Sequence, residues 1–316
     1  MSHDGLVSRT VVPARDAPVG IAPLHFPPDA NALARIPDAA IVWAFSDIHG
    51  VRSGLLAALV RAGIADIDGA WIAPPGTALV GLGDYIDRGT DSAGLVALLA
   101  SLQREAPEAG SRVLLVRGNH EQMLTDVLLG DEAWAMDWLS KGGDETLRSF
   151  GYQADRKGFA RFRKGVLDHP DLQAVVLDSL PYAVWRDVLF VHAAPPTGID
   201  QLEDLATADE QMWHAATFLA SAGIARDPAF QAYRDAGIGR VVLGHVPQPT
   251  GPTALHDGTA LLLDTNAAAP AKRGSVEWES YATLVRLGRG QTFDDIETIM
   301  IDTSAAPDRA PARRQG

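Results

Sequence analysis

Side chains that could bind metal ions or move protons follow five apolar segments of the sequence. The segments and the polar residues after them are 41–46 with Asp47 and His49, 77–82 with Asp84, Asp87 and Arg88, 112–116 with Asn119 and His120, 187–191 with His192, and 239–243 with His245. A single polar residue after a strand is usually part of a turn or a helix cap. Five such coincidences, drawn almost entirely from Asp, Asn and His, instead favour one shared site.

The types of these side chains indicate a metal centre. Carboxylate, imidazole and amide oxygen, without thiolate, are ligands that suit Mn, Fe, Zn or related divalent ions. The candidate ligands are too numerous for one ion, and two ions that share a bridging carboxylate would use them economically. Two metal ions held in this way stabilise the attacking and leaving oxygens of a displacement reaction.

Apolar runs alternate with helical patterns in the first part of the chain. Strand-like runs at 41–46, 77–82 and 112–116 are separated by segments with helical spacing at 51–64 and 91–106. This alternation predicts parallel strands joined by crossover helices. Ligands of such sheets bind beyond the carboxyl ends of the strands, where the polar residues lie. We therefore predict an α/β fold with the site at that edge.

The pattern changes after residue 130, and we predict a helical insertion at about 131–180. Strand-like runs then return at 187–193, 239–245, 259–265, 281–287 and 296–301. Six prolines interrupt the first 37 residues, which predicts an extended N-terminal arm over 1–37. We predict a catalytic domain over 38–303 and a loose C-terminal tail over 304–316.

The composition excludes several classes of protein. The chain has 316 residues, of which 47% are hydrophobic, and a net charge of −13, which argues against nonspecific binding of nucleic acid. It contains no cysteine, which excludes disulfides, thiolate zinc sites and cysteine nucleophiles. No apolar stretch approaches the roughly 18 residues that span a bilayer, and the N-terminus lacks a hydrophobic signal core. We therefore predict no membrane association and a cytoplasmic location.

The polar motifs resemble, in order, those of calcineurin-like metallophosphoesterases of the serine/threonine protein phosphatase type. They read DIHG, GDYIDRG, GNHE, VHA and GHVP, and the resemblance extends over residues 41–266. The segment WLSKGGDETLRSFGY looks like bacterial and lambda-phosphatase-like members. The stretch from GAWIAPPG through GDYIDRG to GNHE is similar to Shewanella-like phosphatases, some of which favour phosphotyrosine. The resemblance implies a four-layer α/β/β/α sandwich with a helical insertion.

The resemblance also implies two bound divalent ions, with Mn expected and Fe, Zn, Co or Ni as alternatives. The implied metal ligands are Asp47, His49, Asp84, Asn119, His192 and His245. In this scheme Asp47, His49 and Asp84 hold the first ion, and Asp84 bridges to the second.

Catalytic roles are implied for three further side chains. His120 would protonate the leaving group, Asp87 would orient His120, and Arg88 would bind the phosphate. Arg88, Asn119 and His120 would together contact the substrate. A metal-bound water or hydroxide would attack phosphorus directly, so that no covalent intermediate forms.

Two positions depart from the pattern of the family. The third motif has Ala194 where a glycine is common, and the added methyl group narrows the predicted pocket. Family members also carry a second phosphate-binding arginine after a tryptophan, but no arginine follows Trp213 in QMWHAATF. His214, Arg226 and Arg234 are the candidates for that second contact.

The sequence leaves the substrate open. A phosphorylated protein, carrying phosphoserine, phosphothreonine or phosphotyrosine, or a small phosphoester is expected. A dinucleoside polyphosphate such as diadenosine tetraphosphate, or another phosphodiester, is the alternative because the motifs are shared. A catalytically silent phosphate-binding module is a third hypothesis, which the intact Asp87 and His120 pair disfavours.

The remaining prominent residues have simpler interpretations. Four tryptophans are interpreted as core residues: Trp134, Trp138, Trp185 and Trp213. Asp264 is expected near the site, and Glu121 is interpreted as structural.

Overall fold

The computed structural model describes residues 35–308, apart from the gaps 39, 130–132, 167, 207–212, 269–271, 274–275, 278, 291 and 295. Most of the predicted N-terminal arm and the end of the predicted tail lie outside the described residues.

The elements are numbered in chain order. The strands are β1 Arg35–Ile36, β2 Ile41–Phe45, β3 Thr77–Gly81, β4 Arg112–Leu115, β5 Ala183–Trp185, β6 Val188–Phe190, β7 Arg240–Leu243, β8 Thr253–Leu255, β9 Ala260–Leu262, β10 Lys272–Arg273, β11 Val276–Glu277, β12 Tyr281–Leu287 and β13 Ile296–Asp302. The α-helices are α1 Arg52–Arg61, α2 Ser92–Glu108, α3 Asn119–Leu129, α4 Ala133–Trp138, α5 Asp144–Ser149, α6 Arg156–Val166, α7 Pro170–Leu172, α8 Ala216–Leu219 and α9 Gln231–Asp235. Single π-helical turns occupy Leu139–Gly143 and Gln173–Leu177, and 3₁₀ turns occupy Leu202–Ala206 and Pro228–Phe230.

Two mixed sheets form the centre of the molecule. One has five strands in the order β13-β12-β2-β3-β4, in which β2, β3 and β4 are parallel, as the alternating pattern predicts. The other has six strands in the order β1-β5-β6-β7-β9-β8, in which β6, β7 and β9 are parallel. Five of these parallel strands, β2, β3, β4, β6 and β7, therefore end at the segments that contain the predicted polar motifs.

Three apolar cores separate four layers of structure. Successive side chains of a strand point to opposite faces, so Val42 and Ala44 of β2 pack between the two sheets, while Trp43 and Phe45 pack against helices. This burial of both faces explains why β2, at Ile41–Phe45, is apolar throughout. A third core lies on the outer face of the six-stranded sheet, where α8 and α9 pack. The predicted four-layer α/β/β/α sandwich is confirmed.

A run of helices lies between β4 and β5, and residues 133–177 contain no strand among those described. Helix α6 buries Phe159, Phe162 and Val166, which lie on one face at helical spacing. The indole of Trp138, at the end of α4, contacts both phenylalanine rings with centroids 6.0 and 6.4 Å away. The helical run thus shares one core with α2 and the five-stranded sheet.

The described chain is anchored near both of its ends. Strand β1 pairs in parallel with β5, so residues 35 and 36 belong to the sheet. At the other end Asp308 is buried, and its carboxylate accepts hydrogen bonds from the backbone N–H and the hydroxyl of Ser53, each at 2.6 Å. Residues 304–308 were expected to belong to a loose tail, but the structure holds them against α1. The reason is that Asp308 accepts hydrogen bonds from groups in the first turn of α1 that have no partner within the helix.

Among the residues that the structure describes, no helix has the length and apolar character needed to cross a bilayer.

We expect Leu99→Ala to lower the free energy of unfolding by about 2–5 kcal/mol, because Leu99 of α2 is fully buried in the core beneath the site. Ile67→Ala removes a comparable aliphatic group from a side chain that is 75% exposed and should change stability by less than about 0.5 kcal/mol. Urea unfolding of both variants measures the difference. Equal effects would contradict this assignment of the core.

Candidate functional site

All the predicted site residues lie together at the carboxyl ends of the parallel strands. They are positioned by the loops after β2, β3, β6 and β7 and by the first residues of α3. Six of them adopt left-handed backbone conformations, which non-glycine residues rarely do: Asp47 (φ 54°), His49 (48°), Asp84 (57°), Asp87 (72°), Arg88 (68°) and His245 (62°). Such conformations persist where the surrounding structure holds them, and they cluster at functional sites.

The buried Glu121 carboxylate holds the loop after β3 in place. It accepts hydrogen bonds from the backbone N–H groups of Asp84 (2.8 Å), Tyr85 (2.9 Å), Ile86 (3.3 Å) and Gly118 (3.0 Å). This satisfies donors that would otherwise be buried without a partner. The structural interpretation of Glu121 fits these contacts.

Gly118 permits the close approach of the loops after β3 and β4. A Cβ added to Gly118 would collide with the backbone nitrogen and the carboxylate of Asp84. Only glycine therefore allows Asp84 and the N-terminus of α3 to lie this close together.

Asp84 lies at the centre of the site, and its two carboxylate oxygens face different groups. Its Oδ2 lies 3.4 Å from His49 Nε2 and 3.9 Å from His120 Nε2. Its Oδ1 lies 3.4 Å from His192 Nε2. Two sets of three potential ligand atoms, each within 4.8 Å of one another, share this carboxylate: His49, Asp84 and His120, and Asp84, His192 and His245.

The hydrogen bonds of the histidines direct lone pairs toward this centre. His49 Nδ1 lies 2.9 Å from the carbonyl oxygen of Ile86, and His192 Nδ1 lies 2.6 Å from that of Leu82. A carbonyl oxygen only accepts, so each Nδ1 carries the proton and each Nε2 carries a lone pair. Metal-binding histidines commonly have this arrangement, because the backbone contact fixes both tautomer and ring orientation.

Asn119 adds an amide oxygen to this group of converging ligand atoms. Its Oδ1 lies 2.9 Å from His192 Nε2 and 3.0 Å from His245 Nδ1. The amide oxygen and His192 Nε2 are both acceptors, as is the nearby Asp84 carboxylate. Acceptors converge in this way when they surround a positive ion.

Asp47 lies beside these groups but outside the two compact sets. Its Oδ2 accepts hydrogen bonds from the hydroxyl of Ser46 and, at 3.0 Å, from the backbone N–H of His245. Asp47 thus joins the loop after β2 to the loop after β7, and its charge acts on Asp84.

The electrostatics of the cluster favour divalent cations. Burial raises the pKa of Asp84 well above its usual range, and the nearby Asp47 carboxylate raises it further; burial and Asp264 do the same for Asp47. Burial lowers the pKa of His192 well below its usual range, and it lowers that of His245 to about 4. Burial therefore disfavours protonation of these imidazoles, whereas divalent cations would stabilise the carboxylates and the neutral imidazoles together. The residues present therefore fit divalent metal ions.

Asp87, His120 and Arg88 form a chain of contacts beside this centre. Asp87 Oδ2 accepts a hydrogen bond of 2.7 Å from His120 Nδ1, which leaves His120 Nε2 facing the site. The Arg88 guanidinium donates to His120 Nε2 at 3.0 Å and to His49 Nε2 at 2.7 Å. A forked cation and a proton-carrying imidazole thus lie on one side of Asp84.

Two of the three candidates for a second phosphate contact lie away from the site. The exposed Arg226 pairs with Asp257 at 2.6 Å, and Arg234 donates to backbone carbonyls, that of Asp227 at 2.7 Å among them. His214 is exposed and close enough to His245 to lower its pKa. Of the three, only His214 is near a predicted metal ligand, His245.

The interpretation of the tryptophans needs two changes. Trp134 is 65% exposed, so its interpretation as a core residue is wrong; it lies on α4, whose buried face carries Trp138 instead. Trp138 is buried, but its indole N–H also donates to Asp87, which core packing alone does not require. Thr146 makes a similar contact that sequence reasoning missed. The Gly-Gly pair between Trp138 and Thr146 was the sequence signal for these contacts, because glycine permits close approach to a neighbouring loop.

Comparisons with known proteins agree with the fold. Residues 41–269 match the family described as Calcineurin-like phosphoesterase. An uncharacterized protein of Schizosaccharomyces pombe is 27% identical over 255 residues, which are 74% of this chain and 75% of that protein. Serine/threonine-protein phosphatase 1 of Salmonella typhimurium is 40% identical over 103 residues, which are 33% of this chain and 39% of that protein.

Solved structures show the same fold. The cold-active protein-tyrosine phosphatase of a psychrophilic Shewanella species superposes with a TM-score of 0.50 at 19% identity, and the match covers 84% of this chain and 84% of that one. The family match spans more than two thirds of the chain and includes every residue of the cluster around Asp84. The chain therefore belongs to the calcineurin-like phosphoesterase family and is a metal-dependent phosphoric ester hydrolase.

Proposed function

We propose that this protein is a dinuclear metal-dependent phosphatase that hydrolyses phosphomonoesters, with phosphorylated proteins as its substrate class. The observation that carries the proposal is the orientation of the Asp84 carboxylate, whose oxygens face two separate sets of ligand atoms. The similarity to a bacterial serine/threonine-protein phosphatase supports the choice of substrate class.

Two groups of residues would hold the metal ions. Asp47, His49 and Asp84 would hold one ion, and Asp84, with Asn119, would hold the other together with two histidines of the adjacent loops, His192 and His245. When bound, two divalent ions would neutralise the phosphate and lower the pKa of a water for attack on phosphorus. The oxygen and nitrogen donors suit Mn, and Fe, Zn, Co or Ni are alternatives.

The protein's own side chains would bind the phosphate and move the proton. Arg88 would direct its guanidinium fork at phosphate oxygens, which match it in geometry and charge. His120 would hold a proton at Nε2 and donate it to the leaving oxygen. Burial and the Arg88 guanidinium lower the pKa of His120 well below its usual range, and the bond from Nδ1 to Asp87 would offset this effect when the charged imidazolium forms.

A substrate screen tests the proposed activity. The Mn-loaded protein should hydrolyse p-nitrophenyl phosphate and phosphopeptides, with little activity on bis-p-nitrophenyl phosphate and diadenosine tetraphosphate. Comparison of phosphoserine, phosphothreonine and phosphotyrosine peptides assigns the preferred residue. Higher kcat/KM for either diester-type substrate than for every phosphomonoester would overturn the proposed substrate class.

We expect Mn²⁺ to stabilise the protein, because it would relieve the buried charge around Asp84. A hundredfold excess over Kd at one site stabilises by about 2.7 kcal/mol, which raises Tm by about 4 °C in a chain of this size. Asp84→Asn keeps the shape of the side chain but removes its charge, and it should abolish most of the rise. Asp68→Asn, at an exposed position, is the matched control and should respond as the wild type does. An undiminished rise in Asp84→Asn would show that the ions bind elsewhere.

We expect His120→Gln to lower kcat by about 10²–10⁴-fold for an alkyl phosphate, whose leaving group needs a proton. The loss should be much smaller for p-nitrophenyl phosphate, whose leaving group is stable as an anion. Mn²⁺ should still raise the Tm of the variant. Equal losses for the two substrates would rule out the acid role of His120.

We expect Arg88→Ala to reduce kcat/KM for phosphomonoesters by about 10²–10³-fold, because no second arginine among the described residues shares the phosphate charge. Arg226→Ala should stay within about twofold of the wild type, since Arg226 pairs with Asp257 at the surface. The kcat/KM of His214→Ala, measured in the same assay, shows whether His214 makes a second contact with the phosphate. A mild effect at Arg88 would mean that the phosphate lies elsewhere.

A further inference from the structure

The segment that runs from Trp138 to Thr146 contacts Asp87 and Arg88 at several points. The indole N–H of Trp138 donates to Asp87 Oδ2 at 2.9 Å, and the Thr146 hydroxyl donates to Asp87 Oδ1 at 2.7 Å. Each oxygen of the carboxylate therefore has a donor from the helical run between β4 and β5. The third donor is His120 Nδ1, which binds Oδ2 at 2.7 Å.

Thr146 fixes the backbone of Asp87 as well as its side chain. The Thr146 hydroxyl oxygen accepts a hydrogen bond of 2.9 Å from the backbone N–H of Asp87, while its proton is donated to the carboxylate. One hydroxyl thus holds both ends of the residue, which limits rotation of the carboxylate about its χ angles.

Gly142 performs a related task for Arg88. The carbonyl oxygen of Gly142 accepts the backbone N–H of Arg88 at 3.1 Å. Gly142 has a φ of 121°, and a Cβ at this position would lie 2.7 Å from the Arg88 nitrogen. The π-helical turn can therefore reach the loop only with glycine at this position.

These contacts hold two consecutive residues in left-handed backbone conformations. Asp87 has a φ of 72° and Arg88 a φ of 68°, which cost free energy that the surroundings must offset. The backbone N–H of Asp87 donates to the hydroxyls of Thr146 and Ser92, and that of Arg88 donates to Gly142, and these hydrogen bonds provide that stabilisation. The orientation of Asp87, and through it that of His120, thus depends on the helical run.

Core packing alone does not account for the polar atoms. Trp138 packs against Phe159 and Phe162, and a phenylalanine could serve that purpose. Trp185 provides the contrast within this chain, since it is equally buried and its indole nitrogen has no hydrogen-bond partner among the described residues. The Trp138 N–H, unlike that of Trp185, points at a carboxylate that binds His120.

We propose that Trp138 and Thr146 are positioning residues that fix the Asp87 carboxylate, so that His120 presents Nε2 to the leaving group in the correct orientation. This rests on the proposed role of His120 as proton donor. The helical run is then part of the catalytic apparatus as well as part of the core.

Conservative variants with matched controls test the proposal. Thr146→Val removes the hydroxyl at nearly constant volume, and Thr146→Ser retains it. Trp138→Phe removes the N–H and retains an aromatic ring. The controls are Thr77→Val, whose hydroxyl binds the Pro74 carbonyl, and Trp185→Phe, whose N–H binds no described partner.

We expect the loss in kcat to differ between the two substrates, which is called a split by substrate below. Thr146→Val and Trp138→Phe should each lower kcat for an alkyl phosphate by about tenfold or more, with kcat for p-nitrophenyl phosphate reduced less than about threefold and KM nearly unchanged. Thr146→Ser should recover most of the activity, and both controls should behave as the wild type. Equal losses on the two substrates, or no loss, combined with an unchanged His120 Nδ1–H signal, would overturn the proposal.

Proton NMR spectroscopy tests the positioning of His120 independently of catalysis. In the Zn²⁺-loaded protein, which is diamagnetic, the hydrogen-bonded His120 Nδ1–H should give a low-field proton signal that disappears in His120→Gln. Thr146→Val and Trp138→Phe should shift or broaden that signal, while Thr146→Ser and the controls preserve it. An unchanged signal in both variants would overturn the proposal. A changed signal in variants that show no split by substrate would retain the positioning and remove the acid role of His120 instead.

Discussion

The buried carboxylate of Asp84 imposes the constraint on which the rest of the site depends. It lies within a protein interior beside a second aspartate, and burial raises the pKa of both. The imidazoles around it resist protonation for the same reason, with lone pairs fixed toward it by backbone carbonyl groups. Such a cluster is costly in its ionised form unless positive charge compensates it, and a cation stabilises the carboxylates and the neutral imidazoles together. Divalent ions satisfy this requirement, and the proposed function assigns one ion to each oxygen of the Asp84 carboxylate.

The fold provides this arrangement by bringing several strand ends to one edge. Because β2, β3 and β4 of one sheet and β6 and β7 of the other are parallel, their following loops meet above the apolar core between the sheets. Glu121 then binds four backbone N–H groups of the adjoining loops. The helical run adds contacts to Asp87 and Arg88 from the outer layer. Each layer therefore contributes to the geometry around Asp84.

Much of the fold and the identity of the site residues could be predicted from the sequence, because strand periodicity and residue type are local properties. The run at 41–46 indicated a buried strand, which the structure confirms, and Asp47 and His49 were predicted as metal ligands in the loop that follows it. The contacts of Trp138 and Thr146 with Asp87 could not be predicted, since they join residues more than 50 positions apart and lie within segments that read as core helices. The exposure of Trp134 likewise depends on which face of α4 the other helices cover. The left-handed conformations of Asp87 and Arg88 are also set by these distant contacts.

The central claim is that Asp84 bridges two divalent ions, and anomalous diffraction from Mn-loaded crystals measures this directly. The account predicts two anomalous peaks of similar height on opposite sides of the Asp84 carboxylate, one near His49 and one near Asn119, His192 and His245. A single peak, at full occupancy and in excess Mn²⁺, or two peaks of which neither contacts Asp84, would contradict it.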